Sequence, residues 1–279
     1  TLIVPFTTSA FESPLLYSPA GITQWWDADW SYRKIITIDH TKVASPLNNF
    51  PVLISLPSDS NLAAHAQSDG DDIVFTDSSG NQLNHELELF SSTTGRLVAW
   101  VNIPSLSATT DTLLYLYYGN SACSNQQDPP GTWESSYLMV HHMEEPGDIS
   151  DSTSHALHAV NYGTTTEPNG KINGCRSYDN LTDHYNFGNN TLLNPGMNSW
   201  TITLWTNLTY VYNHDLLVKY SSSANTGFFL NLNNNSNGYN YFKVGDGTHI
   251  TARYWDAPWT DETWHYLTMV INRDTNRME

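Results

Sequence analysis

The fold is decided by stretches such as HYLTMVI at residues 265–271, where apolar side chains recur at every second position. The stretch ITLWT at residues 202–206 repeats this pattern. A period of two is typical of a β-strand with one buried face, because successive side chains of a strand point to opposite faces. No window of about 12 residues shows a helical stripe, so the sequence predicts an all-β protein.

Further short apolar segments of this kind extend in both directions along the chain. Turn signals such as Asp69-Gly70 and Thr94-Gly95 separate some of them. The run DPPG at residues 128–131 has the composition of a linker. We therefore predict two antiparallel β-sandwiches, organised as an extended segment at 1–24, a first sandwich at 25–120, a linker at 121–132 and a second sandwich at 133–279.

The composition excludes several classes of partner. The 279 residues include 28 Asp plus Glu against 11 Lys plus Arg, a formal net charge of −17. Because phosphates attract Lys and Arg, we expect no nucleic-acid partner and no docking on anionic lipid. No apolar run reaches the ~18 residues of a membrane-spanning helix, so we expect no direct membrane insertion.

An extracellular location fits a surface built from Asn, Ser and Thr. The chain starts at Thr1 without a leader, so we expect a secreted cell-surface protein whose signal peptide has been removed. The two cysteines, Cys123 and Cys175, form either one disulfide or two buried thiols. Acceptor triplets for N-glycosylation begin at Asn180, Asn189, Asn207 and Asn234.

The first residues of the chain form a separate apolar piece. TLIVPF at residues 1–6 favours an extended conformation, and Pro5, Pro14 and Pro19 exclude a helix. An apolar end has to dock on its own domain or on a neighbouring copy of the chain. The candidate contacts of this strand between subunits are Leu2, Ile3, Val4 and Phe6.

Five motifs of the second block occur in a characteristic order and spacing. They are HMEE at 142–145, DST at 151–153, NGKING at 169–174, SWTITLW at 199–205 and DETWHYL at 261–267. In these motifs the block resembles the laminin-G-like, concanavalin-A-like jelly roll of bacterial and archaeal surface proteins. The resemblance covers about residues 133–279 and implies a jelly-roll fold there.

The first block carries its own set of motifs. They are WSYRK at 30–34, NFPV at 49–52, DGDDI at 69–73, LVAWV at 97–101 and YYGN at 117–120. In these residues the block is similar to an uncharacterised domain family that often precedes such jelly rolls. The resemblance implies a cell-surface context and brings no established chemistry.

The second block departs from its family at the C-terminal end. Family members continue for several strands beyond the motif at 264–266, whereas this chain ends at Glu279. The resemblance therefore implies an incomplete jelly roll, which leaves open strand edges. Either the chain is a truncated piece, or a strand such as residues 1–6 of a neighbour completes the sheet.

The resemblance also implies a calcium site, occupied in some members of that family, near Glu144 and Asp151. Ca²⁺ takes 6–8 oxygen ligands, which acidic and Asn side chains supply. Asp69, Asp71 and Asp72 form a second candidate loop. The alternative there is a turn in which the Asp side chains cap backbone amides.

Two groups of residues have the side-chain types that serve catalysis or zinc binding. Glu86 and Glu88 share one face of a predicted strand, at a spacing that suits glycoside hydrolysis. The alternative interpretation is that the two carboxylates belong to the solvated face of an edge strand. His141 and His142 are adjacent, so a strand cannot direct both at one zinc ion. We therefore expect no catalytic residue and no zinc site.

Aromatic side chains give the best indication of function. Such side chains stack on sugars or anchor an interface, and the alternative is that they pack in the core. The residues concerned lie in or near loops of the second block: Tyr239, Tyr241, Tyr254, Trp255 and Trp259. We expect a non-enzymatic structural or adhesive subunit of a cell-surface filament that assembles with copies of itself. The alternatives are a lectin-like glycan-binding module and a glycoside hydrolase.

Overall fold

The computed structural model describes most of the chain and confirms an all-β protein. The described residues are 6–8, 25–179, 182–194, 196–209, 214–232, 240–255, 262–275 and 277–278. The chain divides into two compact units, Thr1–Asn186 and Phe187–Glu279. The linker predicted at 121–132 lies inside the first unit. No helix in the described part is long and apolar enough to cross a membrane.

The described residues of the first unit form twelve strands and two short helices. The strands are β1 (Phe6–Thr8), β2 (Tyr32–Ile38), β3 (Leu47–Leu56), β4 (Val74–Asp77), β5 (Gln82–Leu83), β6 (His85–Ser91), β7 (Arg96–Leu106), β8 (Thr112–Tyr118), β9 (Val160–Tyr162), β10 (Thr165–Glu167), β11 (Cys175–Ser177) and β12 (His184–Asn186). The helices are α1 (Ser60–His65) and α2 (Pro129–Thr132), and a 3₁₀ turn covers His40–Lys42.

Two antiparallel sheets of the first unit enclose its main core. One sheet has the order β1-β2-β8-β4-β5 and the other the order β3-β7-β6. The core takes Ile36 and Leu116 from the first sheet and Ile54 and Leu97 from the second, all fully buried. Each such side chain contributes roughly 1.5–3 kcal/mol by leaving water, so this core stabilises the sandwich.

The outer face of the five-stranded sheet carries a smaller aromatic cluster. Tyr115 and Tyr117 of β8 point there because Leu114, Leu116 and Tyr118 face the main core. The Trp residues at the start of the first block pack on them: Trp25, Trp26 and Trp30.

The described part of the N-terminal segment lies in its own sheet. Phe6 is paired with Ile38 of β2, in antiparallel register, and its ring packs against the main core. Phe6 is therefore an edge residue of its own domain, and its contact with another subunit stays a prediction. The other predicted contacts, Leu2, Ile3 and Val4, lie outside the described residues.

Residues 129–186 complete the first unit. Beyond α2 the chain crosses the outer face of β3-β7-β6, where Trp133, Tyr137, Val140 and Ile172 pack on that sheet. Two small antiparallel pairs follow, β9 with β12 and β10 with β11.

The second unit is a separate pair of antiparallel sheets. Its strands are β13 (Trp200–Asn207), β14 (His214–Ser221), β15 (Thr226–Leu232), β16 (Asn240–Asp246), β17 (Ile250–Trp255), β18 (Trp264–Asn272) and β19 (Arg277–Met278), and a 3₁₀ turn covers Thr191–Leu193. One sheet has the order β14-β15-β16-β17 and the other the order β13-β18-β19.

Side chains at every second position of the strands fill the core of the second unit. Leu267, Met269 and Ile271 of β18 are buried, as the pattern HYLTMVI predicts. They meet core residues of the other sheet such as Phe228 and Phe242. The remaining side chains of β14-β15-β16-β17 consequently point to the opposite, outer face of that sheet.

Candidate functional site

Four aromatic rings form a continuous row on the outer face of β14-β15-β16-β17. They are Tyr220, Phe229, Tyr241 and Tyr254, one from each strand, and we call them the aromatic face. Neighbouring ring centroids lie 5.3, 5.1 and 5.6 Å apart along the row. The row therefore crosses the sheet from one edge strand to the other.

The strand registers explain why the rings meet. Tyr241 lies directly opposite Tyr254, and Phe229 is diagonal to Tyr241. Diagonal neighbours on one face of a sheet lie within reach of each other when the side chains are aromatic. Tyr220 completes the row by lying over Gly245, whose missing side chain leaves room for its ring.

Polar groups accompany the rings on the same face. The ammonium group of Lys243 lies 4.7 Å from the ring centre of Tyr220 and 5.4 Å from that of Phe229. At the level of Tyr241, the amide of Asn231 donates to the carboxylate of Asp215 over 2.7 Å. Burial, followed by the charge of Asp215, raises the pKa of the Tyr241 hydroxyl. The aromatic face thus combines stacking surfaces with hydrogen-bonding groups.

The structure separates the aromatic residues that the sequence grouped together. Tyr241 and Tyr254 belong to the aromatic face, and Tyr254 is 59% exposed. Trp255, one residue further along β17, packs against the core instead, so its prediction as a surface contact is wrong. Tyr239 and Trp259 lie outside the described residues.

Sequence reasoning missed the other two members of the row. Tyr220 and Phe229 lie within strands, whereas the prediction concentrated on loops. The signal that could have found them is the period of two, because Phe228 and Leu230 face the core and Phe229 therefore faces outward.

A cluster of charged side chains is buried on the outer face of β3-β7-β6 in the first unit. His142 lies between two carboxylates, with Nε2 3.1 Å from Oε2 of Glu86 and Nδ1 3.1 Å from Oε2 of Glu88. The indoles of Trp133 and Trp100 donate to Glu86 and Glu88 respectively. Glu86, Glu88, His142 and the neighbouring Glu144 form what we call the buried cluster.

Alternation along β6 directs both carboxylates to this face, and a bulge brings Leu89 to the same side. The register with β7 shifts between Leu87 and Leu89, so Leu87 packs on the main core while Leu89 turns outward. The side chain of Glu88 is only 3% exposed. The expectation of a solvated face for Glu86 and Glu88 is therefore wrong, because residues 133–153 cover them.

The electrostatics of the buried cluster favour an imidazolium ion. Burial alone would lower the pKa of His142, but contacts with Glu86 and Glu88 outweigh it and raise that pKa to about 10. Burial would raise the pKa of Glu86, yet His142, Ser152 and Trp133 hold it below its usual value. Burial and the charge of Glu88 raise the pKa of Glu144 to about 7.

The predicted calcium ligands Glu144 and Asp151 do not form a shared site. The carboxylate of Asp151 accepts hydrogen bonds from the backbone amides of Val140, Thr153 and Leu157. These bonds outweigh the effect of burial and lower its pKa. Glu144 instead accepts a hydrogen bond from Asn173. The two carboxylates therefore have separate structural partners, and this donor arrangement does not fit a Ca²⁺ ion.

The second calcium candidate is a turn held by backbone capping. Asp69 accepts from the amide of Asp71. The fully buried carboxylate of Asp72 accepts from the amides of Gln67, Gly119 and Asn120. This confirms the capping alternative.

Among the described residues, Asp39, His40 and Asp111 have ligand atoms close enough together to share a metal ion. Nδ1 of His40 lies 2.6 Å from Asp111, and Asp39 accepts from the backbone of Thr41. These contacts explain the cluster without an ion.

The structure also places the predicted modification sites. Cys123 and Cys175 are free thiols, so the disulfide is not formed. Asn189 and Asn207 are exposed, and their side chains contact Lys219 and the backbone of Glu262 respectively. Asn180 and Asn234 lie outside the described residues, and glycosylation stays a prediction.

Comparison with known proteins bears on the first unit. No curated protein and no solved structure matches the chain. A family described as a domain of unknown function, DUF2341, matches residues 69–145, a range that includes all four residues of the buried cluster. The chain thus contains a domain of this uncharacterised family at residues 69–145.

Proposed function

We propose that this protein is an extracellular, non-catalytic glycan-binding protein and that the aromatic face is its binding site. The observation that carries the proposal is the continuous row of four rings on the side of the sheet that faces away from the core. Aromatic faces stack on the apolar C–H faces of sugar rings, while ammonium and carboxylate groups bond to hydroxyls.

The exposure of one edge of the row supports a binding role, while the three rings other than Tyr254 are half-buried. The second unit already fills its core with other residues, so the row is not needed to exclude water there. Tyr254 is 59% exposed, and the neighbouring Val218 and Ile250 on the same sheet are also exposed. Contiguous exposed apolar surface rimmed by polar groups is typical of interaction sites.

The alternative functions find less support among the described residues. Phe6–Thr8 occupies an edge of its own sheet, which weakens the case for strand donation to a neighbouring copy. The carboxylates of Glu86 and Glu88 are buried and held by Trp133, Trp100 and His142, which speaks against their acting on a polysaccharide. The jelly roll expected over residues 133–279 does not coincide with one unit, because residues 133–186 belong to the first unit. A laminin-G-like jelly roll remains part of the proposal only for the second unit.

The proposal is tested by applying the full chain to a broad glycan array beside two single variants. Tyr254→Ala removes the most exposed ring of the row. Tyr162→Ala is the matched control, because Tyr162 is 48% exposed but belongs to β9 of the first unit.

We expect the native chain and Tyr162→Ala to bind the same glycans and Tyr254→Ala to bind them at least about tenfold more weakly. If the native chain binds no glycan, the proposed function is wrong. Equal binding by all three proteins would place the site elsewhere in the molecule.

A further inference from the structure

We propose that the aromatic face binds a single, extended, uncharged glycan chain that lies across the strands. The occupant is thus neither a lone terminal sugar nor the flat surface of a crystalline polysaccharide. This inference rests on the proposed function and names the class of ligand for the same site.

The length of the row argues for a chain of several sugars. Its four rings come from four neighbouring strands, and each centroid lies 5.1 to 5.6 Å from the next. Strands are ~4.8 Å apart, and a sugar of an extended glycan advances by a similar distance. Successive sugars can therefore meet successive rings, whereas one terminal sugar covers only part of the row.

The orientation of the rings argues against a flat polymer surface. The planes of Tyr220 and Phe229 are inclined by 49°, those of Phe229 and Tyr241 by 80°, and those of Tyr241 and Tyr254 by 39°. A crystalline face offers coplanar sugars and requires coplanar rings. The inclined rings suit a single chain that turns about its own axis.

Charge argues for an uncharged chain. The protein carries a net charge of −17, which repels a polyanion at low ionic strength. Lys243 lies against Tyr220 and Phe229, so its ammonium group is already attracted to two ring faces. It remains a hydrogen-bond donor to hydroxyl oxygens, and Asp215 is an acceptor on the same face.

The experiment measures binding of the full chain to four kinds of probe. The first is a soluble neutral oligosaccharide series from one to six sugars, of the linkage selected by the array. The others are a soluble polymer of that sugar, a crystalline polysaccharide, and polygalacturonate as the charged chain. Titration calorimetry serves the soluble probes and a pull-down assay the insoluble one.

We expect affinity to rise at least tenfold between two and four sugars and to level off beyond that length. We also expect little retention on the crystalline polymer, and weaker binding of polygalacturonate than of the neutral polymer at low salt. Lys243→Gln is expected to weaken binding of the neutral chain about threefold and not to convert the preference to anions.

The outcomes separate the two proposals. Equal affinity for one and four sugars, retention on the crystalline polymer alone, or tighter binding of polygalacturonate overturns this inference and leaves glycan binding intact. Failure of every probe, including the array, overturns the proposed function as well.

Discussion

The outer face of β3-β7-β6 and the outer face of β14-β15-β16-β17 both carry aromatic rings beside charged groups. They differ in what covers them. In the first unit residues 133–153 lie over Trp100 and the two carboxylates of β6, so the charges are buried and paired. In the second unit Tyr254 stays open to solvent, and the other three rings of the aromatic face are half-buried.

The difference teaches how similar residue types serve two purposes. A face that is covered uses its rings and charges to hold the protein's own chain in place. A face that is open keeps the same chemistry available for another molecule. Changes at the buried cluster are therefore expected to alter stability, and changes at the aromatic face are expected to alter binding.

The largest effect is expected from His142→Ala. The variant leaves Glu86 and Glu88 buried without the cation between them, and breaking a buried ion pair in this way costs about 3–5 kcal/mol. We expect a loss of that size in the free energy of unfolding, measured by urea denaturation with tryptophan fluorescence.

The control for this variant is His249→Ala in the second unit, whose side chain is 82% exposed. We expect its unfolding free energy to match that of the native chain to within about 0.5 kcal/mol. A similarly small change for His142→Ala would show that the buried cluster does not hold the first unit together.

The next effect is expected at the aromatic face, from Tyr254→Ala. Loss of one stacking ring is expected to weaken glycan binding by about 1.4 kcal/mol, a factor of ten. Because Tyr254 is exposed, the unfolding free energy is expected to change by no more than about 0.5 kcal/mol. Calorimetric titration and urea denaturation measure the two quantities. A large loss of stability with unchanged glycan affinity would contradict this expectation, because the aromatic face would then serve stability and not binding.

A smaller effect is expected in the pH dependence of stability. The pKa of Glu144 is raised from 4.5 to about 7, so the folded protein holds this proton more tightly than the unfolded chain does. The contribution of Glu144 to the free energy of unfolding is complete below pH 4.5 and is lost as the pH rises through 7. We expect Glu144→Gln to flatten the fall in melting temperature between pH 4.5 and 7.

His142 adds a separate decline at higher pH. Its pKa is raised from 6.5 to about 10, so its contribution is complete below pH 6.5 and is lost as the pH rises through 10. This decline is expected in both the native chain and Glu144→Gln. Glu167→Gln on exposed β10 is the control, and a pH profile of Glu144→Gln identical to that of the native chain would contradict the assignment.

The smallest effect is expected from Tyr254→Phe, which keeps the ring and removes the hydroxyl. If stacking dominates, affinity changes by less than about twofold. A loss as large as that of Tyr254→Ala would assign the binding energy to the hydroxyl group, and titration with the same glycan distinguishes the two results.

Local patterns predicted the fold class and part of the candidate site. The alternation in HYLTMVI determines which side of β18 is buried, and Tyr241 and Tyr254 were identified as surface aromatics. Trp255 was misplaced because a shift of one residue along a strand moves a side chain to the other face.

Long-range packing accounts for what sequence reasoning missed. Glu86 and Glu88 look like surface residues of an edge strand until His142, more than 50 positions later, covers them. The sequence predicts that Phe6 contacts a neighbouring copy of the chain, whereas in the structure it pairs with β2 of its own sheet. Such contacts join segments far apart in sequence, so no local period reveals them.

The measurement that tests the central claim most directly is hydrogen–deuterium exchange of the full chain with and without a saturating glycan. The account predicts that the glycan slows amide exchange in β15, β16 and β17 and leaves β6 and β7 unchanged. Slower exchange confined to the first unit would contradict the account, because the covered face would then be the one that binds.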